Sequence, residues 1–385
     1  MEAYLDNGAT TKVDPRVLKA MMPYFSTAYG NASSLHKPGR DAKKAMDLAR
    51  EAIAKKLNAE AGEIIFTSGG TESDNLAIRG AAYANRGKGK HIITTKIEHP
   101  AVLNTCRSLA NDGFDITFLD VDDEGLVDIS ALEKAIKKDT ILVSVIHGNN
   151  EVGTIQDIAC IGALCRQRDV LFHTDAVQSF GKVPIDVKRM NIDLLSISGH
   201  KFNGPKGIGA LYVRSGVKLT PLAYGGHHEF GLRPGTENIP GIVGLAKAAE
   251  LIGTREIKQM AKLRDTLIKG LLSIHESYLN GPGMKNSGRR LCNNANVSFK
   301  GVEGEALLMY LDTKGVRVST GSACSSRDEG PSHVLSALNV DPECIMGSLR
   351  FTLSKFTTRQ EIDYTVKATK ETVAHLRKVS GLRSA

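Results

Sequence analysis

The sequence predicts an α/β protein with a large domain, built on a mainly parallel sheet flanked by helices, and a smaller α+β domain after it. Two observations lead to this fold class. Up to about Ile257, short apolar runs alternate with longer stretches of helical periodicity. Such alternation is typical of a parallel sheet covered by helices on both faces. Beyond that point helical patterns dominate.

The strands and helices of the large domain are predicted in a regular order. "EIIFT" ends at Thr67 and precedes a helical stretch over 72–85, and "HIITT" precedes another that starts after Pro100. "DITFLD" and "TILVSVI" are the next strands, and from Ile155 onward apolar side chains recur at helical spacing. "VLFHTD", "DLLSIS" and "IGALYV" complete the set of strands.

The predicted domain boundary lies where this pattern stops. Residues 15–255 form the large domain in this prediction, and residues 1–14 and 256–385 form the small one. The expected strands of the small domain are "NANVSFKG" and "GVRVST". A chain of 385 residues is long enough for one large and one smaller hydrophobic core.

Composition and charge argue against several classes of protein. Fifty basic and 42 acidic residues give a net charge of +8, but no basic run is interleaved with aromatic residues, so nucleic-acid binding is not expected. No apolar window is long enough for a membrane span, and the N-terminus lacks the pattern of a secretory signal. Six cysteines without a C-x-x-C pair favour a cytoplasmic chain with free thiols.

Three motifs place polar residues directly after predicted strands, where open α/β sheets bind ligands. In "FTSGGTESDN", glycines precede Thr71 at a helix start, which suits a phosphate, although a plain N-cap explains this motif better on its own. In "LFHTDAVQS", Asp175 and Gln178 follow a strand, and a helix cap is an equal alternative. In "SISGHKFNGPKG", Lys201 follows a strand beside a glycine-rich turn.

Two further residues are candidates because of their surroundings. His99 in "IEHPAV" follows a strand, although a lone histidine is more often a packed or surface residue. Cys324 lies among small residues in "TGSACSSRDEG", which favours an accessible thiol, and the alternative is a chance surface cysteine. Cys106, Cys160 and Cys165 fall in amphipathic helical patterns and are interpreted as residues without a chemical role.

Together, a phosphate seat, a carboxylate, a histidine and a lysine at strand ends suit one cofactor. Pyridoxal phosphate needs a lysine for a Schiff base, an acid for its ring nitrogen and an anchor for its phosphate. The sequence therefore predicts a pyridoxal-phosphate site at this edge of the sheet.

The chain also resembles the cysteine desulfurases of the NifS/IscS type, which are class-V members of the fold-type-I pyridoxal-phosphate enzymes. The motifs that carry the resemblance span almost the whole chain: "YLDNGATT", "GNASSLH", "TSGGTESDN", "IEHPAV", "HGNNEVGT", "HTDAVQS", "SGHKFNGPKG", "RPGTEN" and "STGSACSS". The resemblance implies a fold-type-I transferase that removes sulfur from L-cysteine, releases L-alanine and leaves a persulfide on Cys324. It also implies that this sulfur supplies iron–sulfur cluster assembly.

The resemblance implies a role for each matching residue. Lys201 would carry the cofactor and act as a base, Arg350 would hold the substrate carboxylate, and Cys324 would accept the sulfur. Thr236 would contact the phosphate of the neighbouring subunit, which implies a homodimer. The implied cofactor contacts are Gly70, Thr71, Ser198 and His200 at the phosphate, His99 stacked on the ring and active in acid–base steps, Asp175 and Gln178 at ring atoms, and Asn150 in the same pocket.

The same resemblance implies an IscU-type iron–sulfur scaffold as the partner. Cys324 would then also serve as a transient ligand of a [2Fe-2S] cluster shared with that scaffold. Two alternatives stay open, a selenocysteine lyase or other class-V lyase, and a non-catalytic scaffold that keeps the fold. Gly8, Ala32, Arg327 and Asp328 depart from common forms of the motifs, but none of them replaces a named catalytic group.

Overall fold

A computed structural model describes residues 1–321 and 330–379. The strands in this part of the chain are β1 (Ala3–Tyr4), β2 (Ile64–Thr67), β3 (His91–Thr95), β4 (Asp115–Leu119), β5 (Thr140–Ser144), β6 (Leu171–Asp175), β7 (Leu194–Ser198), β8 (Gly209–Val213), β9 (Ser277–Leu279), β10 (Asn294–Phe299), β11 (Val316–Arg317) and β12 (Ser348–Thr352).

The α-helices of the same residues lie between these strands and at both ends. They are α1 (Pro15–Met21), α2 (Pro23–Ser26), α3 (Lys37–Leu57), α4 (Gly70–Ala84), α5 (Pro100–Asn111), α6 (Ile129–Ala135), α7 (Ile158–Gln167), α8 (Ile239–Glu250), α9 (Thr254–Leu271), α10 (Gly304–Thr313), α11 (His333–Ala337), α12 (Pro342–Met346) and α13 (Arg359–Val379).

Seven strands form the central sheet in the order β2-β8-β7-β6-β5-β3-β4. The five strands from β7 to β4 pair in parallel, and β8 is antiparallel to both of its neighbours. Strands β2, β3, β5, β7 and β8 are buried at every position. Helices cover both faces of the sheet, and this burial explains why the strands are continuous apolar runs in the sequence. The predicted fold class is confirmed.

The parallel arrangement brings several strand ends to one edge of the sheet. The carboxyl ends of β3, β5, β6 and β7 share this edge because the four strands run in the same direction. β2 ends there too, since β2 and β7 both run opposite to β8. The residues after five strand ends therefore meet, although they are far apart in the sequence.

A second set of elements packs around a smaller core. β12, β10 and β9 form an antiparallel sheet, and β1 pairs in parallel with β11. Through this pairing Ala3 and Leu5 are fully buried in the hydrophobic cluster of the smaller sheet. Val334 and Ile345, by contrast, pack in the cluster of the central sheet. The division of the chain at residue 255 stays a prediction.

The two helix-cap alternatives are not what the backbone forms. α4 begins at Gly70 with Gly69 in the N-cap position, so Thr71 lies inside the first turn and does not cap the helix. "TDAVQ" forms a turn, in which the Val177 N–H donates to Asp175 Oδ1 at 2.8 Å. Within residues 1–321 and 330–379, no helix combines the length and apolar character that a bilayer span requires.

Candidate active site

A cleft of about 720 Å³ opens at the edge where the strand ends meet. Ten of the predicted site residues line it: Gly70, Thr71, His99, Asn150, Asp175, Gln178, Ser198, His200, Lys201 and Arg350. Gly8, Ala9, Asp74, Ile146 and Val177 complete the lining. Thr236 is exposed in the segment before α8 and is not part of the lining. Cys324, Arg327 and Asp328 lie outside the described residues.

The start of α4 provides a cradle for an anion. Gly69 makes no side-chain cap, so the first N–H groups of the helix, at Gly70 and Thr71, lie at the cleft together with the positive end of the helix dipole. A Cβ atom on Gly70 would lie 2.7 Å from Val177 Cγ2, so the wall of the cleft needs glycine at this position. Ser198, at the end of β7, is buried and also lines the cleft. The arrangement suits a phosphate group.

Lys201 reaches the cleft from the short 3₁₀ turn Gly199–Lys201, which follows β7 directly. Its Nζ donates to the carbonyl oxygens of Gly8 and Ala9, at 2.6 and 2.9 Å. Both carbonyls belong to the N-terminal segment, which lines the cleft through Gly8 and Ala9. Backbone groups therefore hold the amine at the cleft.

Asp175 ends β6 and is 4% exposed. Burial raises the pKa of this carboxyl to about 6, and the charge of Lys201 opposes the rise. Gln178, in the following turn, donates from Nε2 to the Gly8 carbonyl at 2.9 Å. The carboxyl therefore lies at a cleft wall beside a cation, where its ionised form can accept a hydrogen bond from a protonated ring nitrogen.

His99 has a structural position and a cleft position at once. It is the N-cap of α5, and its Nδ1 accepts a hydrogen bond from the Ala101 N–H at 3.1 Å. The proton of the neutral ring is therefore assigned to Nε2. Burial, followed by the charges of Lys201 and His333, lowers the pKa of His99 to about 4, so the ring is neutral near pH 7. His99 is therefore both a packed residue that caps α5 and a residue of the cleft lining.

His200 precedes Lys201 and is half-buried. Its Nδ1 lies 3.2 Å from the Thr10 hydroxyl. Burial is the main cause that lowers the pKa of His200 to about 4, and the neighbouring lysines add to it. A neutral imidazole at this wall can donate one hydrogen bond to an anion without adding a charge.

Arg350 reaches the cleft from β12 of the smaller sheet and is 2% exposed. Its Nη1 donates to the Asn150 carbonyl at 3.0 Å, and its Nη2 pairs with Asp6 Oδ1 at 3.0 Å. Nε has no hydrogen-bond partner within the described part of the chain. The guanidinium is thus oriented from two sides, and its planar fork suits a carboxylate ligand.

The contribution of the N-terminal segment was missed by the sequence analysis. The Gly8 carbonyl accepts from Lys201 and Gln178, and its N–H donates to Thr352 Oγ1 at 2.6 Å. A Cβ atom on Gly8 would lie 3.3 Å from Arg350 Cζ, so the glycine also leaves room for the guanidinium. The motif "YLDNGATT" marked this segment, but a backbone carbonyl has no side-chain chemistry to identify it.

Two buried acids were missed as well. Asp74 in α4 is 1% exposed and lines the cleft, and Glu98, the residue before His99, is fully buried. Both occur in motifs that the sequence analysis singled out, "TESDN" and "IEHP". An acid in such a motif is expected at the surface, and only its packing shows otherwise.

The residues present fit pyridoxal phosphate. The cradle at α4 suits its phosphate, the Lys201 amine is within the same cleft, and the Asp175 carboxyl is buried in the same lining. Asn150 Oδ1 is buried and has no hydrogen-bond partner among the described residues, as expected of a side chain that faces a polar ligand. The donors and acceptors match the needs of this cofactor.

Known proteins resemble the chain over nearly all of its length. The family model described as aminotransferase class-V matches residues 3–365. A protein of Methanosarcina thermophila named cysteine desulfurase IscS is 53% identical over 383 residues, which are 98% of this chain and 94% of that protein. A solved NifS-like protein has a TM-score of 0.91 at 40% identity, covering 98% of this chain and 100% of its own. A structure described as SspA in complex with cysteine has a TM-score of 0.82 at 39% identity, covering 92% and 100%.

Proposed function

The chain belongs to the cysteine desulfurases of the aminotransferase class-V family, and on that premise we propose that it removes sulfur from L-cysteine and releases L-alanine, with pyridoxal phosphate as its cofactor. One observation carries the proposal. An anion cradle, the Lys201 amine and the Asp175 carboxyl meet in a single cleft, although they come from three strand ends. The residues that line this cleft provide the functional groups that the cofactor requires.

In this proposal, residues that line the cleft would hold the cofactor. When bound, pyridoxal phosphate supplies an electron sink that makes the α-proton of an amino acid acidic. Gly70, Thr71, Ser198 and His200 would hold the phosphate, Lys201 would bind the aldehyde, Asp175 would pair with the ring nitrogen, and His99, Gln178 and Asn150 would contact the ring and its substituents.

The side chains of the cleft then bind the substrate and move its protons. Arg350 holds the carboxylate of L-cysteine through its planar fork. Lys201 would take the proton from the α-carbon, because its amine is a base within the same cleft. His99 is neutral and carries a proton on Nε2, so it serves as a proton donor in the same space.

The sulfur step belongs to Cys324. Its thiolate attacks the substrate sulfur, an S–S bond forms, and the C–S bond breaks with its electron pair left on carbon. Protonation of that carbon leads to L-alanine, and Cys324 retains a persulfide. A thiolate is the active form of a cysteine nucleophile. This assignment rests on the resemblance of "STGSACSS", since the residue lies outside the described part of the chain.

The persulfide sulfur then leaves the enzyme. The acceptor in this proposal is an IscU-type iron–sulfur scaffold, and Cys324 acts as a transient ligand of the shared [2Fe-2S] cluster. The enzyme works as a homodimer in which Thr236 contacts the phosphate bound by the neighbouring subunit. The exposure of Thr236, away from the cleft of its own chain, supports this part of the proposal.

The test is a turnover assay of the purified protein loaded with pyridoxal phosphate. We expect L-cysteine to yield alanine and sulfide, and mass spectrometry to find one added sulfur on the Cys324 peptide. Cys324→Ser should bind the cofactor yet form no persulfide, whereas Cys160→Ser, which removes an exposed thiol on α7, should behave as wild type. Turnover of L-selenocysteine without L-cysteine, or sulfur found first on another cysteine, would overturn the assignment.

A further inference from the structure

Three buried acids act on one another at or next to the cleft, and we refer to Asp74, Glu98 and Asp175 as the carboxyl cluster. Asp74 and Asp175 line the cleft, and Glu98 directly precedes the lining residue His99. They come from α4, from the turn before α5 and from the end of β6. Their exposures are 1%, 0% and 4%. The proposed function uses only Asp175, so the other two acids require an account of their own.

Asp74 lies at the cleft with the Ser196 side chain as a hydrogen-bond donor, but with no cation beside it among the described residues. It belongs to the lining, yet its Oδ1 has no hydrogen-bond partner in the described structure. The nearest basic atom recorded for it is His173 Nε2 at 3.6 Å. His173 contacts the hydroxyls of Ser144 and Ser196 at 2.8 and 3.1 Å. Complete burial lowers the pKa of His173 to about 3, so this ring brings no positive charge to Asp74.

Glu98, the residue before His99, is in a similarly buried environment. Its Oε1 accepts from the Thr95 hydroxyl at 2.7 Å and from the Ile146 N–H at 2.9 Å, which ties the end of β3 to the end of β5. Its Oε2 has no partner among residues 1–321 and 330–379. No ion pair to Glu98 occurs among the described salt bridges. Glu98 therefore joins the segments after β3 and β5 through hydrogen bonds, and it forms no salt bridge with the described residues.

Two further titratable groups face Glu98 without forming an ion pair with its carboxyl. Cys106 in α5 is a buried thiol, and burial raises its pKa to about 12. His333 in α11 contacts the Glu98 backbone carbonyl through Nε2 at 3.0 Å, not the carboxyl. The ammonium of Lys201 acts on Asp175, whose pKa it lowers against the effect of burial.

Three negative charges in this volume would repel one another at low dielectric. Of the cations that line the cleft, Arg350 already pairs with Asp6, which leaves the Lys201 ammonium to offset them. An isolated carboxylate in an apolar interior costs so much that the group takes up a proton instead. The pKa values of both acids are shifted in the direction that this argument requires. Burial raises the pKa of Glu98 to about 8, and it raises the pKa of Asp74 well above its usual range. Asp175 is the member with a cation at hand.

We propose that Asp74 and Glu98 are positioning residues that stay protonated in the resting protein, so that Asp175 is the only carboxylate of the cluster. One negative charge then faces one ring nitrogen, and a second carboxylate does not compete for its proton. The role at the ring nitrogen rests on the proposed function. The protonation states of the two acids do not, because packing alone imposes them.

Infrared difference spectroscopy of the cofactor-free protein near neutral pH tests the protonation states directly. Asp74→Asn and Glu98→Gln keep the shape of a neutral acid, and each should remove one C=O band of a protonated carboxyl. Asp14→Asn is the matched control, because Asp14 is equally buried but pairs with Arg16 and Lys355, so its loss should remove a carboxylate band. Loss of a carboxylate band from Asp74→Asn or Glu98→Gln would overturn the inference.

Cofactor affinity provides the second readout. Asp74→Asn and Glu98→Gln should each change the dissociation constant of pyridoxal phosphate by less than about threefold, since neutral hydrogen bonds contribute little on balance. Asp175→Asn should weaken binding about 10- to 100-fold through the loss of a charge-assisted contact. Weakening of similar size in all three variants would contradict the inference.

The two proposals can fail separately. If the wild-type protein does not bind pyridoxal phosphate, the proposed function is wrong, while the infrared bands still decide the charge of each acid. If a variant does not fold, a titration of the wild-type protein decides, because one C=O band should disappear on passing through about pH 8. A spectrum without such a band at neutral pH would refute the assignment to Glu98.

Discussion

Asp14 and Asp74 are both 1% exposed, yet their surroundings lead to opposite charge states. Asp14 lies at the contact between the N-terminal segment and the residues after β12. It accepts from the Arg16 side chain at 2.8 and 3.0 Å and lies 2.7 Å from Lys355 Nζ. The hydrogen bonds from Arg16 hold the pKa of Asp14 well below its usual range. Asp74 lies at the cleft, has no such partner, and its pKa is raised.

The difference shows that burial alone does not decide whether an acid is charged. At the N-terminal contact the fold supplies two cations, so the carboxylate stabilises the folded state. At or next to the cleft, three buried polar atoms have no hydrogen-bond partner among the described residues: Asp74 Oδ1, Glu98 Oε2 and Asn150 Oδ1. Polar groups without partners are expected where a protein binds a ligand, because stability has been given up there for function.

The largest effect should follow from removing the cation of the cleft. Lys201→Ala should lower the rate of alanine formation by at least about 10³-fold, because the α-proton loses its base and the cofactor its covalent anchor. The purified variant should also lose its yellow colour. Lys206→Ala is the control, since this exposed lysine of the same motif should leave both properties unchanged. A wild-type rate in Lys201→Ala would show that the chemistry takes place elsewhere.

Exchanging acid for amide in the two regions should separate activity from stability. Asp175→Asn should slow turnover about 10- to 100-fold, since a neutral amide no longer holds the proton of the ring nitrogen. Asp14→Asn should leave the rate per folded molecule unchanged but lower the free energy of unfolding by about 1.5–3 kcal/mol, as its charge-assisted bonds are lost. Rates and urea unfolding curves of both variants provide the comparison. The contrast breaks down if both variants lose the same property.

The pH dependence of stability should differ in sign between the regions. The pKa of Glu98 is about 8 in the folded protein against an ordinary value of 4.5, so between these values the folded protein holds a proton that the unfolded chain has released. Glu98 should therefore lower the unfolding free energy by about 1.4 kcal/mol per pH unit as pH rises through this window, and no further above it. Unfolding curves of Glu98→Gln should lack that slope.

Asp14 is the counterpart of Glu98 in this experiment. Its folded pKa lies below the ordinary value of 3.8, so its contribution is present above that pH and is lost as pH falls further. Asp14→Asn should therefore remove part of the acid-side loss of stability and leave the alkaline side unchanged. Identical pH profiles of wild type and Glu98→Gln would mean that Glu98 is charged in the folded protein.

The smallest effect concerns Arg350, a charged residue of the cleft that is already paired. Arg350 already contacts Asp6 and the Asn150 carbonyl, so Arg350→Lys should keep one charged contact and lose the planar fork. We expect the KM for L-cysteine to rise about tenfold with a smaller change in kcat. Steady-state kinetics at saturating cofactor measure both. A fall in kcat with KM unchanged would assign Arg350 to a step after substrate binding.

Much of the candidate site could be predicted from the sequence, because its side chains follow strands whose apolar runs are easy to recognise. Asp175, Ser198 and Lys201 are at or directly after such runs, and parallel strands bring their ends to one edge. The resemblance extended the prediction to Arg350, which no strand-end argument would place there. The roles of all these residues stay predictions until the variants are measured.

Other parts of the cleft depend on contacts between distant segments. Lys201 bonds to carbonyls 193 and 192 residues away along the chain, and Arg350 pairs with Asp6 across 344 residues. Backbone carbonyls carry no residue type that a motif could mark. For the same reason the sequence does not distinguish the neutral His99 that caps α5 from a surface histidine.

The sequence by itself determined the order of strands and helices, the parallel character of the sheet and the family, because these follow from local periodicity and from motifs in a fixed order. Only the tertiary structure decided which acids are paired. "VDPR" and "ESDN" each contain an aspartate, and although Arg16 follows Asp14 by two residues, neither stretch shows that Lys355 also pairs with Asp14 or that Asp74 lies beside a neutral histidine. The charge of a buried carboxyl depends on the groups that the fold brings within a few ångströms, and two of those groups, Lys355 beside Asp14 and His173 beside Asp74, are remote in the sequence.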